Sequence, residues 1–352
     1  MDIFKKDLFS DYIPKWQNAT TEAVCDICEV LKNYFPDPIS FDEEPSQVGA
    51  FEINSSNFKI SVHKKKFLLK RWDQAAQLEK VENQLALLML LKAKNVPVPE
   101  PVLSQKRKNF SLINNRIWVL FEFLEGEYFK GTKSQVISAA KSIGRLSSEL
   151  KSLPLNLIIS NGPQQLLPAD REILRLYSQK KPMWEEILGA EYALLLGQNF
   201  DHIVENWDQS AIEKAFGGKP QVIHYDLHPH NILMSESDVV GILDFDACSV
   251  LAPGVALGFS VMKLVRQAVV FNGLKTTAAE LGNLFISELI KEDSQIETFA
   301  QSFNSLAKSE VLRRIVLILK LNLEKSDKRW NHVLPVQIGH LYECDLIFGG
   351  SL

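Results

Sequence analysis

The stretch VIHYDLHPHNILMSESDVVGILDFDA, residues 222–247, decides how this chain is read. With Gln221 before it, its first residues form a short apolar run. This predicts a strand ending near His224 and a loop carrying Asp226. Asn231 opens a second apolar run, Ile232-Leu233-Met234. The polar cluster Ser235-Glu236-Ser237-Asp238 predicts a turn. A further strand over Val239–Leu243 then delivers Asp244. The layout brings two carboxylates and one amide oxygen to one end of a small sheet.

That set suits phosphoryl transfer. A hard divalent cation takes oxygen ligands, which a carboxylate and an amide carbonyl supply while a nucleotide provides others. A separate carboxylate must accept the proton of the attacking hydroxyl. Asp226 is the candidate base, and Asn231 and Asp244 are the candidate Mg2+ ligands. The same stretch can also be read as a zinc cluster, H-x-D-x-H-x-H, of a metallohydrolase. Zinc would leave Asn231 and Asp244-Phe245-Asp246 without a role. His224 is expected to brace the loop by hydrogen bonding.

The spacing from Asp226 to Asn231 resembles the protein-kinase catalytic loop, H-R-D-x-x-x-x-N, which is followed by a D-F-G metal motif. Tyr225 stands at the Arg position, and Asp244-Phe245-Asp246 at D-F-G. In these departures the chain resembles the aminoglycoside phosphotransferase family and its choline, homoserine and methylthioribose kinase relatives. They carry H-G-D-x-x-x-x-N and then an apolar strand ending in D-[WF]-[DE]. Tyr225 replaces the family's Gly. Pro253-Gly254-Val255-Ala256-Leu257-Gly258-Phe259 lacks the aspartate of the family's P-x-x-x-D-[LIV]-A stretch. The resemblance implies an α+β, bilobal protein-kinase-like fold, with a small antiparallel-sheet N-lobe bearing one long helix and a larger, mainly helical C-lobe. It also implies ATP and Mg2+ as cofactors, and a hydroxyl acceptor among amino alcohols, amino acids, sugars and aminoglycoside-like molecules. VPVPEPV (96–102) and HPHN (228–231) are similar to homoserine-kinase-type members.

Upstream, residues 47–72 alternate, with polar clusters at 54–57 and 63–66, which predicts two or three antiparallel strands and a basic hairpin tip at His63–Lys66. A helix is expected from Gln74 to Lys94, ended by the prolines of VPVPEP. IWVLFEF (117–123) reads as another strand. The lobe boundary is expected near 124–126, giving an N-lobe over 1–124 and a C-lobe over 125–352. On the kinase resemblance, Lys70 shares a strand face with Leu68 and is the candidate cation for the α/β-phosphates. Its neighbour Arg71 is expected at the surface. Glu82, with Glu79 as the alternative, is expected to face inward from the following helix and pair with Lys70. Asn54-Ser55-Ser56-Asn57 is the expected polar turn toward the phosphates. Val119–Gly126 is similar to the family's interlobe hinge, which implies adenine contacts from the backbone of Glu122 and Leu124. Tyr128, Glu324 and Trp330 are candidates for the acceptor pocket.

After Gly126, helical periodicity covers 134–152, 167–178, 183–196 and 199–216, and resumes from 256 onward. With 39 basic and 43 acidic residues, the chain has no overall basic field for nucleic acid. The longest apolar run, Leu85–Leu91, falls short of a membrane span, and the N-terminus lacks a secretory pattern. A soluble, cytoplasmic protein is the expectation. Over 19–35 a helix is expected, capped by Thr20 or Thr21, with Cys25 and Cys28 together on its apolar face as free thiols. A small-molecule O-kinase is the leading reading. A nucleotide-binding pseudokinase on the same fold and a zinc metallohydrolase are the alternatives.

Overall fold

Phe41–Val48 (β2), Ser55–Val62 (β3) and Lys65–Trp72 (β4) pair antiparallel, and alternation in β3 and β4 puts Phe58, Ile60, Val62, Phe67 and Leu69 on one buried face. The structure, a computed structural model, describes residues 4–6, 15–48, 55–73, 77–158, 168–206, 219–273 and 277–349. Trp16–Asn18 (β1) adds one edge, and Ser111–Ile113 (β5) and Arg116–Glu122 (β6) add the other, in the order β1-β2-β3-β4-β6-β5. The β3–β4 hairpin turns at His63 and Lys64, whose φ values are 53° and 61°. A tight hairpin turn of this hand normally uses Asn or Gly. Here Asp42 steadies it by accepting the Lys64 backbone N–H at 2.7 Å.

The sheet buries both faces. Phe58, Ile60, Leu69, Trp118 and Leu120 meet Ile27, Val30 and Leu31 of the helix Thr21–Leu31 (α1), which Thr20 caps. Cys25 is exposed and Cys28 half-buried, both free, so the thiols flank the apolar face rather than sharing it. On the opposite face, Trp72, Ile117, Val119 and Phe121 pack with Leu78–Ala93 (α2) and continue into the main core. The buried residues of α2 are Val81, Gln84, Leu85, Leu87, Leu88 and Leu91, while Met89 and Leu90 are each 43% exposed.

Beyond this sheet, Glu127–Tyr128 (β7) pairs with Ile232–Ser235 (β9), which also pairs with Asp238–Ile242 (β10). Gln221–His224 (β8) pairs with Cys248–Leu251 (β11). The helices are Lys133–Lys151 (α3), Pro168–Gln179 (α4), Trp184–Leu188 (α5), Ala190–Glu205 (α6), Pro253–Asn272 (α7), Ala278–Glu292 (α8), Glu297–Ala300 (α9), Phe303–Lys325 (α10) and Leu334–Ile347 (α11). Gly189, at φ 93°, separates α5 from α6 and shifts the expected boundaries there. Helix α7 is long and apolar enough by composition to cross a bilayer, a length not apparent from uninterrupted apolar runs. Yet 83% of its most apolar window is buried inside the protein, where it packs on α10 and α8.

Candidate active site

The antiparallel pairs β8–β11 and β9–β10 bring the ends of two loops together. His224, at the end of β8, is buried. Its Nε2–H donates to the Leu243 carbonyl at 2.8 Å, and its Nδ1 accepts the Asp226 backbone N–H at 3.3 Å. A carbonyl only accepts, so the proton sits on Nε2. Burial lowers the ring's pKa and keeps it neutral. This imidazole therefore ties the loop of Asp226 to the strand that leads to Asp244. Asn231 adds a second tie: its side-chain N–H donates to the Asp226 carbonyl at 2.8 Å, and its own carbonyl accepts the Leu243 N–H at 2.8 Å. With the donor side engaged, Oδ1 is the part of the amide suited to a cation. Asp244 has φ 60°, a left-handed conformation that Asp tolerates better than most residues.

Lys70 reaches across from β4. Its Nζ lies 2.7 Å from Asp246 Oδ2 and 3.7 Å from Asp244 Oδ1. Gln84 Nε2 donates to Asp246 Oδ1 at 2.6 Å. Burial pushes the Asp246 pKa up, but the Lys70 charge and the hydrogen bonds from Lys70 and Gln84 outweigh it and hold the carboxyl below its usual range. The inward placement of Glu82 and Glu79 is corrected here: both are exposed. Apolar residues occupy so much of α2 that periodicity selected the wrong stripe, and Gln84 occupies the inward position. Arg71 is not a surface residue either. It lies over the Phe58 and Trp118 rings, at 5.6 and 5.5 Å.

The expected turn at 54–57 is also corrected. Ser55, Ser56 and Asn57 open β3 and pair with Trp72, Arg71 and Lys70. The backbone ladder overrides the turn preference of these small polar residues, and Asn54 lies outside the described residues. Ser56 is buried and accepts a hydrogen bond from Arg71. Asn57 lines a cleft of about 600 Å³ between the lobes. Leu68, Phe121, Leu233 and Leu243 line it too, and Glu122–Leu124 border it. Tyr128 and His230 line its other half, their rings 5.4 Å apart. Glu324 and Trp330 are exposed and do not line it.

The Asp226 carboxylate, one-third exposed, has two cationic or donor neighbours. Arg314 Nη2 is 3.2 Å from Oδ1, and His228 Nε2 is 3.5 Å from Oδ2. Burial pushes its pKa up, but the hydrogen bond and charge of His228, then Arg314 and His224, hold it far below the usual carboxylate range. Behind Arg314, the buried Glu310 accepts hydrogen bonds from Arg314 Nε, from two nitrogens of Arg313 and from the Tyr225 hydroxyl. Sequence reasoning missed Arg314 and Glu310, which stand on α10, far downstream of the motif. His228 turns toward Asp226 and His230 toward Tyr128. Among the described residues, no three His, Cys, Asp or Glu side chains are grouped to hold a metal.

Residues 49–269 match the model of the phosphotransferase enzyme family. Homoserine kinase of Bradyrhizobium sp. (strain ORS 278) is 24% identical over 249 residues, covering 68% of this chain and 69% of that protein. Among solved structures, spectinomycin phosphotransferase in complex with ADP and spectinomycin aligns with a TM-score of 0.66 at 15% identity, over 95% of this chain and 99% of that one. Amicoumacin kinase in complex with AMP-PNP and Ca2+ aligns with a TM-score of 0.55 at 14% identity, over 93% and 94%. Two lobes, an interlobe cleft and the matched span that holds the Asp226 loop agree: the chain belongs to the phosphotransferase enzyme family and is a small-molecule kinase.

Proposed function

We propose that this kinase moves the γ-phosphoryl group of ATP to a hydroxyl of a small metabolite, with Mg2+ as cofactor. One observation supports the reading best: Asn231 is tied to the backbone of Asp226 and of Leu243, the residue before Asp244, and Lys70 Nζ lies 3.7 Å from the Asp244 carboxylate. Leu68 and Phe121 from above, and Leu233 and Leu243 from below, would sandwich the adenine, with the backbone of Glu122 and Leu124 at its edge. Lys70 would meet the phosphates while Asp246 and Gln84 keep its ammonium in place. Asn231 and Asp244 offer the hard oxygens a divalent ion takes, and when bound the ion would neutralise charge on the β- and γ-phosphates. The acceptor oxygen bonds to the γ-phosphorus, the bond to the bridging oxygen breaks, and ADP departs with that electron pair. The hydroxyl proton goes to Asp226.

Asp226 is held ionised, which makes it a weak base that is always ready to accept. That suits a loose transition state, in which the hydroxyl proton leaves late and orientation matters more than basicity. The homoserine kinase relatives support an amino acid among the candidate acceptors. The test is a screen of amino acids, amino alcohols and sugars with MgATP, using wild type and Asp226→Asn. The variant should lose about 100-fold or more in kcat and keep nucleotide affinity. Turnover that survives the substitution unchanged would rule Asp226 out.

A further inference from the structure

We infer that Arg314 is an acceptor-binding residue, and that the hydroxyl compound this kinase phosphorylates carries a carboxylate. The inference rests on Asp226 being the base, and it begins from charge. Glu310 is 2% exposed and is the shared anion of Arg313 and Arg314. One carboxylate for two guanidinium groups leaves a single positive charge, which Asp226 balances through its contact with Arg314. Arg314 thus presents a guanidinium beside the base, where an acceptor's carboxylate can share it.

The geometry fits this use. Glu310 fixes Arg314 through Nε at 2.8 Å, and the Phe259 ring supports the guanidinium at 4.3 Å. The group is thus held in one plane, as two-point recognition of a carboxylate requires. Its side chain remains 30% exposed, so a ligand can reach it. Arg313 instead lies over the Tyr225 ring at 5.8 Å. Because Arg314 Nη2 is 3.2 Å from the base oxygen, the acceptor's hydroxyl and carboxylate must be only a few bonds apart. Amino acids and hydroxy acids of homoserine's size meet that condition.

The experiment compares L-homoserine with aminopropanol, its counterpart lacking the carboxylate, and L-serine with ethanolamine. Wild type, Arg314→Met, Arg314→Lys and Asp226→Asn are assayed for ADP release and phosphorylated product. Wild type should prefer the carboxylate member of a pair by about 100-fold in kcat/KM, the scale of losing a charged two-point contact. Arg314→Met should erase that preference mainly by raising KM for the carboxylate member of each pair. Arg314→Lys should recover part of it. Turnover of amino alcohols alone would overturn the inference and leave the kinase reading standing. So would an Arg314→Met enzyme whose preference between the members of a pair is unchanged. Absence of any Asp226-dependent turnover would sink both readings. Nucleotide binding and the thermal midpoint are measured on each variant. If Arg314→Met does not fold, Arg314→Lys carries the test, with about a 10-fold KM rise expected for the carboxylate acceptor only.

Discussion

Lys70 shows how much one side chain depends on its partners. Its ammonium joins the sheet to the C-lobe through Asp246, and Gln84 holds the other oxygen of that carboxylate. Gln84→Leu should therefore raise the KM for ATP about 10-fold or more, about 1.5–3 kcal/mol for one lost hydrogen bond to a charged group. Glu82→Ala and Glu79→Ala, on the exposed side of α2, should leave it within about 2-fold, as exposed charges rarely contribute more. Steady-state kinetics at varied ATP separates the outcomes. A large loss in Glu82→Ala would restore the helix glutamate as Lys70's partner. Tyr225 is readable only with its neighbours. Where the family has glycine, its hydroxyl donates to Glu310 and its ring lies under Arg313, so the extra side chain becomes part of the support behind Arg314.

At the scale of elements, close packing sets the tightest limits. Gly131, just before α3, has φ 81°, and a Cβ there would come within 2.4 Å of the Ala268 Cα in α7. Both the backbone conformation and the space demand glycine. Gly131→Ala should destabilise by about 2–4 kcal/mol, combining overpacking with left-handed strain. Chemical denaturation would read this directly, and a variant within about 0.5 kcal/mol of wild type would show that α7 yields easily. Helix α1 is the counterpart case. Ile27 is fully buried against the outer face of the sheet, so Ile27→Ala should cost about 2–5 kcal/mol by leaving a cavity. A loss below about 1 kcal/mol would mean that α1 contributes little to the N-lobe.

For the whole molecule, buried titratable groups tie stability to pH. Burial lowers the pKa of His224 and, with three nearby cations, drives that of His340 well below 6.5. Neither ring nitrogen of His340 has a hydrogen-bond partner, and Glu343 Oε2 at 3.8 Å is beyond hydrogen-bond reach. Both histidines bind protons more readily in the unfolded chain. Their contribution is therefore full above about pH 6.5 and declines as pH falls below it. Glu343, whose carboxyl burial raises, acts in the opposite sense at lower pH. The thermal midpoint should drop between about pH 7 and pH 5. His340→Leu should shrink that drop and raise the midpoint most at the acid end, since it removes an unsatisfied polar ring. An unchanged pH profile in this variant would show that His340 titrates normally. The N-terminal residues meet the same region: Phe4 is buried, its N–H donates to Glu343, and Arg266 donates to the Lys5 carbonyl.

The candidate groups were legible because one continuous stretch carries most of them. Asp226, Asn231 and Asp244 come from strand ends within 222–247, and strand alternation alone turns Lys70 toward the cleft and Phe67 and Leu69 away from it. The change of periodicity announced a sheet-rich N-terminal part and a mainly helical remainder, and the family resemblance implied the bilobal fold. Tertiary structure decided what periodicity leaves degenerate or what sequence distance hides. Helix α2 is apolar on too many sides to reveal its buried face, so Gln84 rather than Glu82 points inward. The polar run at 55–57 became strand because ladder hydrogen bonds with β4 outweigh a local turn preference. Arg314 and Glu310 reach Asp226 and Tyr225 only because α10 packs along α7 beside the Asp226 loop. The sequence by itself pointed to the proposed reaction groups, because Asp226, Asn231 and Asp244 lie in one motif-bearing segment. Only the fold could determine the charges that surround them, because those arrive from helices with no local pattern to announce them.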